Sequence, residues 1–355
     1  MAYGLGVPAA ALHPLPPQPT GVPWPTDAWP TGSASAALVA VVDEVLSDEA
    51  RYGDTYAVAI VQGGRLLLER HGGALPHFDR PPEPVLPSTP LLSWSMAKSV
   101  LHAAVGVLVG DGRLALDAPA DVPGWHDERA AITLDQLLQM RDGLAWAEDY
   151  VNAGVSDVIE MLFGSGQADV AAYASARPLA HPPGTVFNYS SGTSNIVAGI
   201  VGRAVGGGAE ATRRLLEQRL FAPIGMSSAD PRFDDAGTFI GSSFVYATAP
   251  DWARFGTLYL RDGVWDGTRI LPEGWVDHGR TVRSVDPTDG DLYGAHWWID
   301  HLDTERGTFR ASGYEGQMVA ICPPLDAIVV RLGRTPEPLS ANLPPWRKRV
   351  FDALA

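Results

Sequence analysis

Residues 95–110 read Ser95-Met96-Ala97-Lys98-Ser99-Val100-Leu101-His102-Ala103-Ala104-Val105-Gly106-Val107-Leu108-Val109-Gly110 and run on into Asp111-Gly112. They are apolar on nearly every side, so the pattern predicts a buried helix over Ser95–Val109, ended by Gly110-Asp111-Gly112. Two polar side chains, Ser95 and Lys98, stand at its start. Spacing of three puts both on one helix face, about 5–6 Å apart at Cβ. The first turn of a helix also offers unpaired backbone N–H groups and the positive end of its dipole, which suit an oxygen that carries charge. A serine hydroxyl is a weak nucleophile until a base takes its proton. Burial disfavours the charged form of a lysine and draws its pKa down, so Lys98 in an apolar helix is a candidate base. An N-cap serine beside an incidental lysine accounts for the same residues.

Composition makes that lysine stand out. Of the 26 basic residues only two are lysines, Lys98 and Lys348, and the other 24 are arginines. Lysine differs from arginine in being able to lose its proton near neutrality. Set against 41 acidic residues, the basic ones leave a net charge of −15. That balance argues against nonspecific binding to nucleic acid or to anionic membranes, where affinity is built from Lys and Arg. The single cysteine, Cys322, excludes an internal disulfide and a zinc ribbon, and reads as a buried inert thiol. With 355 residues the chain is one large domain or two intimate ones.

Met1–Thr31 carries no Lys or Arg, and Pro8, Pro14, Pro16 and Pro17 interrupt any apolar stretch. The most apolar windows, Val100–Val109 and Ile196–Val205, are broken by His102 and Arg203. A soluble, cytoplasmic protein is expected.

Outward from the central helix, residues 1–35 read as an extended, proline-punctuated arm. Ala36–Leu46 has helical spacing, and Tyr56–Val61 with Arg65–Arg70 forms a hairpin signal around Gln62-Gly63-Gly64. Helical patterns fill Thr133–Met140, Ser156–Leu179, Ser194–Leu220 and Ala249–Leu260. After Gly290 come short β-type runs at His296–Asp300, Thr308–Ala311, Gln317–Cys322 and Ala327–Leu332, then a helix over Trp346–Leu354. The expected fold is an α/β body over 36–92 and 236–355, its two β blocks joined in one antiparallel sheet. A mainly helical subdomain over 93–235 is inserted in it.

Two further elements carry polar chemistry. Asn188-Tyr189-Ser190-Ser191-Gly192-Thr193 follows Pro182-Pro183-Gly184, and Ala311-Ser312-Gly313-Tyr314-Glu315-Gly316-Gln317 breaks a β run with glycines. Glycine within a strand marks a bulge or the close approach of another backbone or a ligand. There is no G-x-S-x-G elbow and no H-E-x-x-H, and no phosphate-binding fingerprint appears. His296 beside Trp297 and Trp298 reads as packing or pocket wall.

In this order and spacing, the three elements resemble those of the serine β-lactamase and penicillin-binding-protein superfamily: SxxK, Tyr-x-Asn or a Tyr-Ser variant, and a third motif ending in Gly. The resemblance runs from about Tyr56 to about Leu354. Trp146–Tyr150 (WAEDY) and the SSGTSN run (190–195) make it most similar to the class C-related esterase and 6-aminohexanoate-dimer (nylon oligomer) hydrolase branch. It implies a β-lactamase/transpeptidase-like α/β fold, with a central antiparallel sheet flanked by helices. It also implies Ser95 as the acylated nucleophile, Lys98 as its base and Tyr189 as the phenol that relays a proton to the leaving group. Gly313 then ends the third motif, and the N–H groups of Ser95 and Tyr314 form the oxyanion hole. A rival frame, Tyr314-Glu315-Gly316, moves the second donor to Gln317. Tyr150, Ser191, Gly313 and Trp297 are the expected substrate contacts.

Two departures narrow the function. Ala311 stands where penicillin-recognising relatives carry Lys, and Ser191 stands where they carry Asn. Both argue against an efficient β-lactamase or D-amino-acid peptidase and leave hydrolysis of a small ester or linear amide. Acyl transfer, or a catalytically silent binding protein on the same fold, are the other readings. No metal or organic cofactor is required. The expected partners are a small-molecule substrate and at most a second copy of the chain in a homodimer, with neither nucleic acid nor membrane.

Overall fold

The computed structural model describes residues 10–77, 79–152 and 154–355. Ser35 accepts a hydrogen bond from Leu38 N–H and so starts α1 (Ala36–Ser47). The hairpin of β1 (Asp54–Gln62) and β2 (Arg65–His71) turns at Gly63 and Gly64, with φ 58° and 70°. Two successive left-handed residues match the twist of a two-residue hairpin, and only glycine adopts that conformation freely. The remaining principal elements are α2 (Ala97–Gly110), α3 (Ser191–Ala204), α4 (Ala249–Leu260), β3 (Ser284–Val285), β4 (Leu292–Tyr293), β5 (Trp298–Ile299), β6 (Phe309–Gly313), β7 (Gln317–Cys322), β8 (Ala327–Arg334) and α5 (Leu343–Leu354).

The two β blocks join in one antiparallel sheet of order β3-β4-β5-β6-β7-β8-β1-β2. β1 pairs with β8 from Asp54↔Arg334 to Gln62↔Ala327. Alternation along β1 serves two cores at once. Val58 and Ile60 face α1 and α5, packing with Val42, Val45, Trp346, Val350 and Phe351. Ala57, Ala59 and Val61 face the opposite layer, packing with residues of α2 and α4 such as Leu101, Val105, Trp252 and Phe255. This is the β-lactamase/transpeptidase-like architecture.

Where the elements differ from expectation, a backbone turn is the cause. Ser95 lies in a 3₁₀ turn, Trp94–Met96, ahead of α2, because Trp94 takes φ 44°. The strand expected over His296–Asp300 shrinks to Trp298–Ile299, since His296 sits at φ 54°. The helix expected from Ser194 starts at Ser191, where Ser190 Oγ caps Thr193 N–H, and it stops before Gly206, Gly207 and Gly208, all at positive φ. The helical stretch expected over Ser156–Leu179 is two short helices, Asp157–Phe163 and Val170–Ser175.

Residues 10–35 run extended over the body, and residues 1–9 of the expected arm lie outside the described chain. Ala11 N–H donates to Thr304 O, Arg261 Nη1 to Pro16 O and Arg254 Nε to Pro25 O, and Thr31 bridges Leu66. The chain crosses between the sheet body and the helical part at Leu91–Leu92 and Val245–Ala247. These two crossings pair with each other, Leu91↔Ala247 and Leu92↔Tyr246. Among the described residues no helix is long and apolar enough to cross a membrane.

Candidate active site

The paired crossings place Ser95. Ser93 N–H donates to Val245 O and Ser93 Oγ to Ser243 O, which fixes the backbone just ahead of the Ser95 turn. A non-glycine residue at positive φ is strained, so Trp94 at 44° persists only because its neighbours over-determine it. Ser95 is left 9% exposed at the floor of a cleft, and Lys98, one turn after it at the second position of α2, is 2% exposed.

Lys98 Nζ has three oxygen partners: Ser95 Oγ at 2.9 Å, Ser191 Oγ at 3.0 Å and Ser242 O at 2.9 Å. An ammonium has three N–H donors and fills all three positions. Two of them are fixed as acceptors. Ser242 contributes a carbonyl, held by Asn195 Oδ1, which accepts Ser242 N–H at 3.1 Å. Ser191 spends its own hydroxyl proton on Glu148 Oε1 at 2.5 Å. A neutral Lys98 therefore keeps N–H bonds to Ser242 and Ser191, and its lone pair is left to point at Ser95 Oγ. Burial pushes the Lys98 ammonium down to about 8, the nearby Glu148 charge resisting. Lys98 is thus a buried amine whose ammonium form is weakened by burial and whose neutral form turns its lone pair to Ser95 Oγ.

Glu148 organises the opposite wall. Its oxygens accept four donors: Ser191 N–H and Oγ–H, Trp146 Nε1–H, and the Tyr150 hydroxyl at 2.6 Å. Tyr189 packs over the base, with Lys98 Nζ 4.8 Å from its ring centroid, and its ring lies 5.2 Å from that of Trp298. Burial pushes the Tyr189 phenol far up, with the Glu148 charge adding to the rise and contact with Ser95 offsetting part of it. Tyr150 is raised in the same way. Both phenols stay protonated at neutral pH.

The far wall is β6 and the turn after it. A Cβ on Gly313 would clash with Ser93 O, so only glycine lets this strand approach the Ser95 turn. That approach brings Ser312, Gly313 and Tyr314 into the same cleft as Ser95, Tyr150 and Tyr189. The turn Tyr314–Gly316 is clamped from beneath. Arg331, wholly buried, donates to Glu315 O at 3.2 Å and Gly316 O at 3.0 Å, and also to Tyr52 O, Asp54 O, Thr55 Oγ1 and Thr335 Oγ1. Gln317 Nε2 adds a bond to Tyr314 O at 3.2 Å. Glu315 sits at φ 61° in this turn, a second strained residue facing Trp94, whose Nε1 donates to Glu315 Oε2 at 3.4 Å.

Further along the cleft the charges are paired. Arg310 pairs with Asp291, and Arg347 Nη2 lies 2.5 Å from Asp300. Asp291, Asp300 and His301 converge closely, but these arginines already neutralise the two carboxylates.

The structure brings Ser95, Lys98, Tyr189, Tyr150, Gly313 and Tyr314 together. It moves two expected substrate contacts elsewhere. Trp297 is 0% exposed and packs against Phe255, Tyr259 and Phe309, with ring centroids 6.2, 4.3 and 5.2 Å away. Successive strand residues point to opposite faces, so its neighbour Trp298 is the one that lines the cleft. Ser191 is buried beneath the base, bonded to Lys98 and Glu148 rather than facing substrate. Sequence reasoning missed the roles of Glu148, Asn195 and the Ser242 carbonyl. The first two lie within the quoted WAEDY and SSGTSN runs, whereas a backbone carbonyl leaves no trace in a sequence.

A family model described as Beta-lactamase matches residues 42–350. The chain is 28% identical over 306 residues to 6-aminohexanoate-dimer hydrolase of Paenarthrobacter ureafaciens, covering 80% of this chain and 74% of that one. It is 32% identical over 268 residues to esterase EstB of Burkholderia gladioli, covering 71% of this chain and 62% of that one. Among solved structures, a putative 6-aminohexanoate-dimer hydrolase from Bacillus anthracis superposes with a TM-score of 0.76 at 21% identity, over 97% of this chain and 90% of that one. A penicillin binding protein from Bacillus halodurans superposes with a TM-score of 0.67 at 18% identity, over 89% and 98%. On the match over residues 42–350, this chain belongs to the beta-lactamase family of serine hydrolases.

Proposed function

We propose that the chain hydrolyses a small ester or linear amide through an acyl-Ser95 intermediate. The observation that carries this is the three-point hold on Lys98 Nζ, which leaves Ser95 Oγ as the one partner able to give the amine a proton. With a pKa of about 8, roughly one Lys98 in ten is neutral at pH 7, enough to serve as base. Ser95 Oγ attacks the carbonyl carbon as its proton moves to Lys98. The oxyanion is received by the N–H groups of Ser95 and Tyr314, each worth on the order of 3 kcal/mol in the transition state. Tyr189, kept protonated by burial, is the acid that hands a proton to the departing alkoxide or amine, and the proton on Lys98 restores it. Water, deprotonated by the same groups, then cleaves the acyl-enzyme.

The two named hydrolase relatives support ester and linear amide as the bonds to test first. Ala311, buried against the core where penicillin-recognising relatives place Lys, supports neither β-lactam nor D-amino-acid peptide as substrate. The hold on Lys98 Nζ against Ser95 Oγ favours hydrolysis over a silent binding protein.

The test is p-nitrophenol release from p-nitrophenyl acetate by wild type and by Ser95→Ala, with intact mass of each protein. Turnover lost in Ser95→Ala, with an acetyl adduct on wild type alone, is the expected result. Turnover that survives the substitution overturns the mechanism.

A further inference from the structure

From Tyr150 and Tyr314, which line the cleft, ring-to-ring contacts run outward through Trp94 and Phe244 to Phe163. Phe163 and Phe244 lie with centroids 6.1 Å apart, Phe244 and Trp94 5.9 Å, Trp94 and Tyr314 5.8 Å, and Tyr314 and Tyr150 4.8 Å. These five rings come from five separate segments, and none is sealed in the core. Trp94, Phe244 and Tyr314 are half-buried, while Phe163 is 58% exposed and Tyr150 37%. Val155, 61% exposed, lies at the start of the helix that Phe163 ends. The row meets the reaction site at Tyr314 and Tyr150, which line the cleft together with Ser95. The strained turn at Trp94 and its bond to Glu315 hold that indole in place. Rings that serve only packing are buried by their neighbours, whereas an exposed apolar row continuous with a reaction site is what an apolar ligand covers.

We propose that Phe163, Phe244, Trp94, Tyr314 and Tyr150 form an extended subsite for an apolar arm of the substrate, so that the preferred ester or amide carries a long alkyl or aryl group. This rests on Ser95 being the acylated residue. The arm is either the acyl chain or the alcohol (or amine) portion, and the chemistry that recognises it is the same. A fully buried methylene contributes about 0.8 kcal/mol, and an open row covers about half of it, which is roughly a twofold gain per methylene. The same cleft also carries the charged groups Arg310, Asp291 and Asp289.

The experiment measures kcat/KM for p-nitrophenyl esters from acetyl to octanoyl, and for alkyl acetates from methyl to octyl. It uses wild type, Phe163→Ser, Phe244→Ser and the apolar control Phe163→Leu. In wild type one of the two series should climb by at least tenfold from shortest to longest, and which one climbs identifies the arm. The octanoyl-to-acetyl (or octyl-to-methyl) ratio should fall towards one in both serine variants and hold in Phe163→Leu. Flat series in wild type, or a climb that both serine variants keep, overturns the subsite while leaving the hydrolase reading intact. Loss of all Ser95-dependent turnover overturns the hydrolase reading instead. The subsite is then read by tryptophan fluorescence, titrating Ser95→Ala with the uncleaved octanoyl and acetyl esters. Octanoyl binding roughly tenfold tighter supports it, and equal binding overturns it.

Discussion

Lys98 and Arg347 are both buried cations beside one cleft, and their surroundings are opposite. Lys98 meets three neutral oxygens and no carboxylate within bonding distance. Arg347 places both Nε and Nη2 on Asp300 Oδ2, at 2.8 and 2.5 Å, with both side chains 4% exposed. A buried charge with an ionic partner stays charged, while one offered only neutral acceptors is free to become neutral. The first arrangement is structural, and the second is suited to chemistry. Arg331 extends the lesson: it too meets only carbonyls and hydroxyls, and burial pulls it down to about 10, yet it remains a cation at any physiological pH. Its neutral partners gain geometry from it, since its fork holds the Tyr314–Gly316 turn.

The comparison breaks first at Lys98. Lys98→Arg substitutes a cation that cannot release its proton, and kcat/KM should fall between about 10³- and 10⁴-fold in p-nitrophenyl acetate hydrolysis. A loss of less than tenfold would show that Lys98 is not the base. Next, Arg347→Met strands Asp300 in the interior. We expect about 3 kcal/mol or more of lost stability in urea unfolding, and a loss below about 1 kcal/mol would place the pair among weakly contributing surface bridges. The smallest effect sharpens the contrast. The negative Glu148 raises the Lys98 pKa against burial, so Glu148→Gln should lower it further. On the proposed mechanism neutral Lys98 is the active form, so the acidic limb of kcat/KM against pH, expected near 8 in wild type, should move to lower pH by on the order of one unit. A limb that stays or moves upward would mean that another group controls it.

What the sequence revealed and what it hid follow from distance along the chain. The β1–β2 hairpin, α4 and the Ser95–Lys98 pair are local patterns, each written in residues only a few positions apart. Tyr189 and Gly313 were legible through the order of their motifs. Trp297 and Trp298 could not be told apart, because a shift of one residue along a strand exchanges its faces, and the turn at His296 obscures the register. Ser191 was placed in the cleft by analogy with a shorter list of roles than the site contains. Its real partners, Lys98 and Glu148, come from segments 93 and 43 residues away. The Ser242 carbonyl, 144 residues from Lys98, is contributed by backbone that any residue supplies.

That last bond has a consequence for synthesis. A nascent chain that has emerged as far as residue 230 contains Ser95, Lys98, Glu148 and Tyr189. It lacks the Val245–Ala247 crossing that pairs with Leu91–Leu92, the Ser242 carbonyl that orients the amine, and Tyr314 across the cleft. On the proposed mechanism the serine is then an ordinary alcohol, and it becomes a nucleophile only when the late third of the polypeptide folds back onto the early third, so an incomplete translation product carries the proposed catalytic side chains without the contacts that would make them reactive.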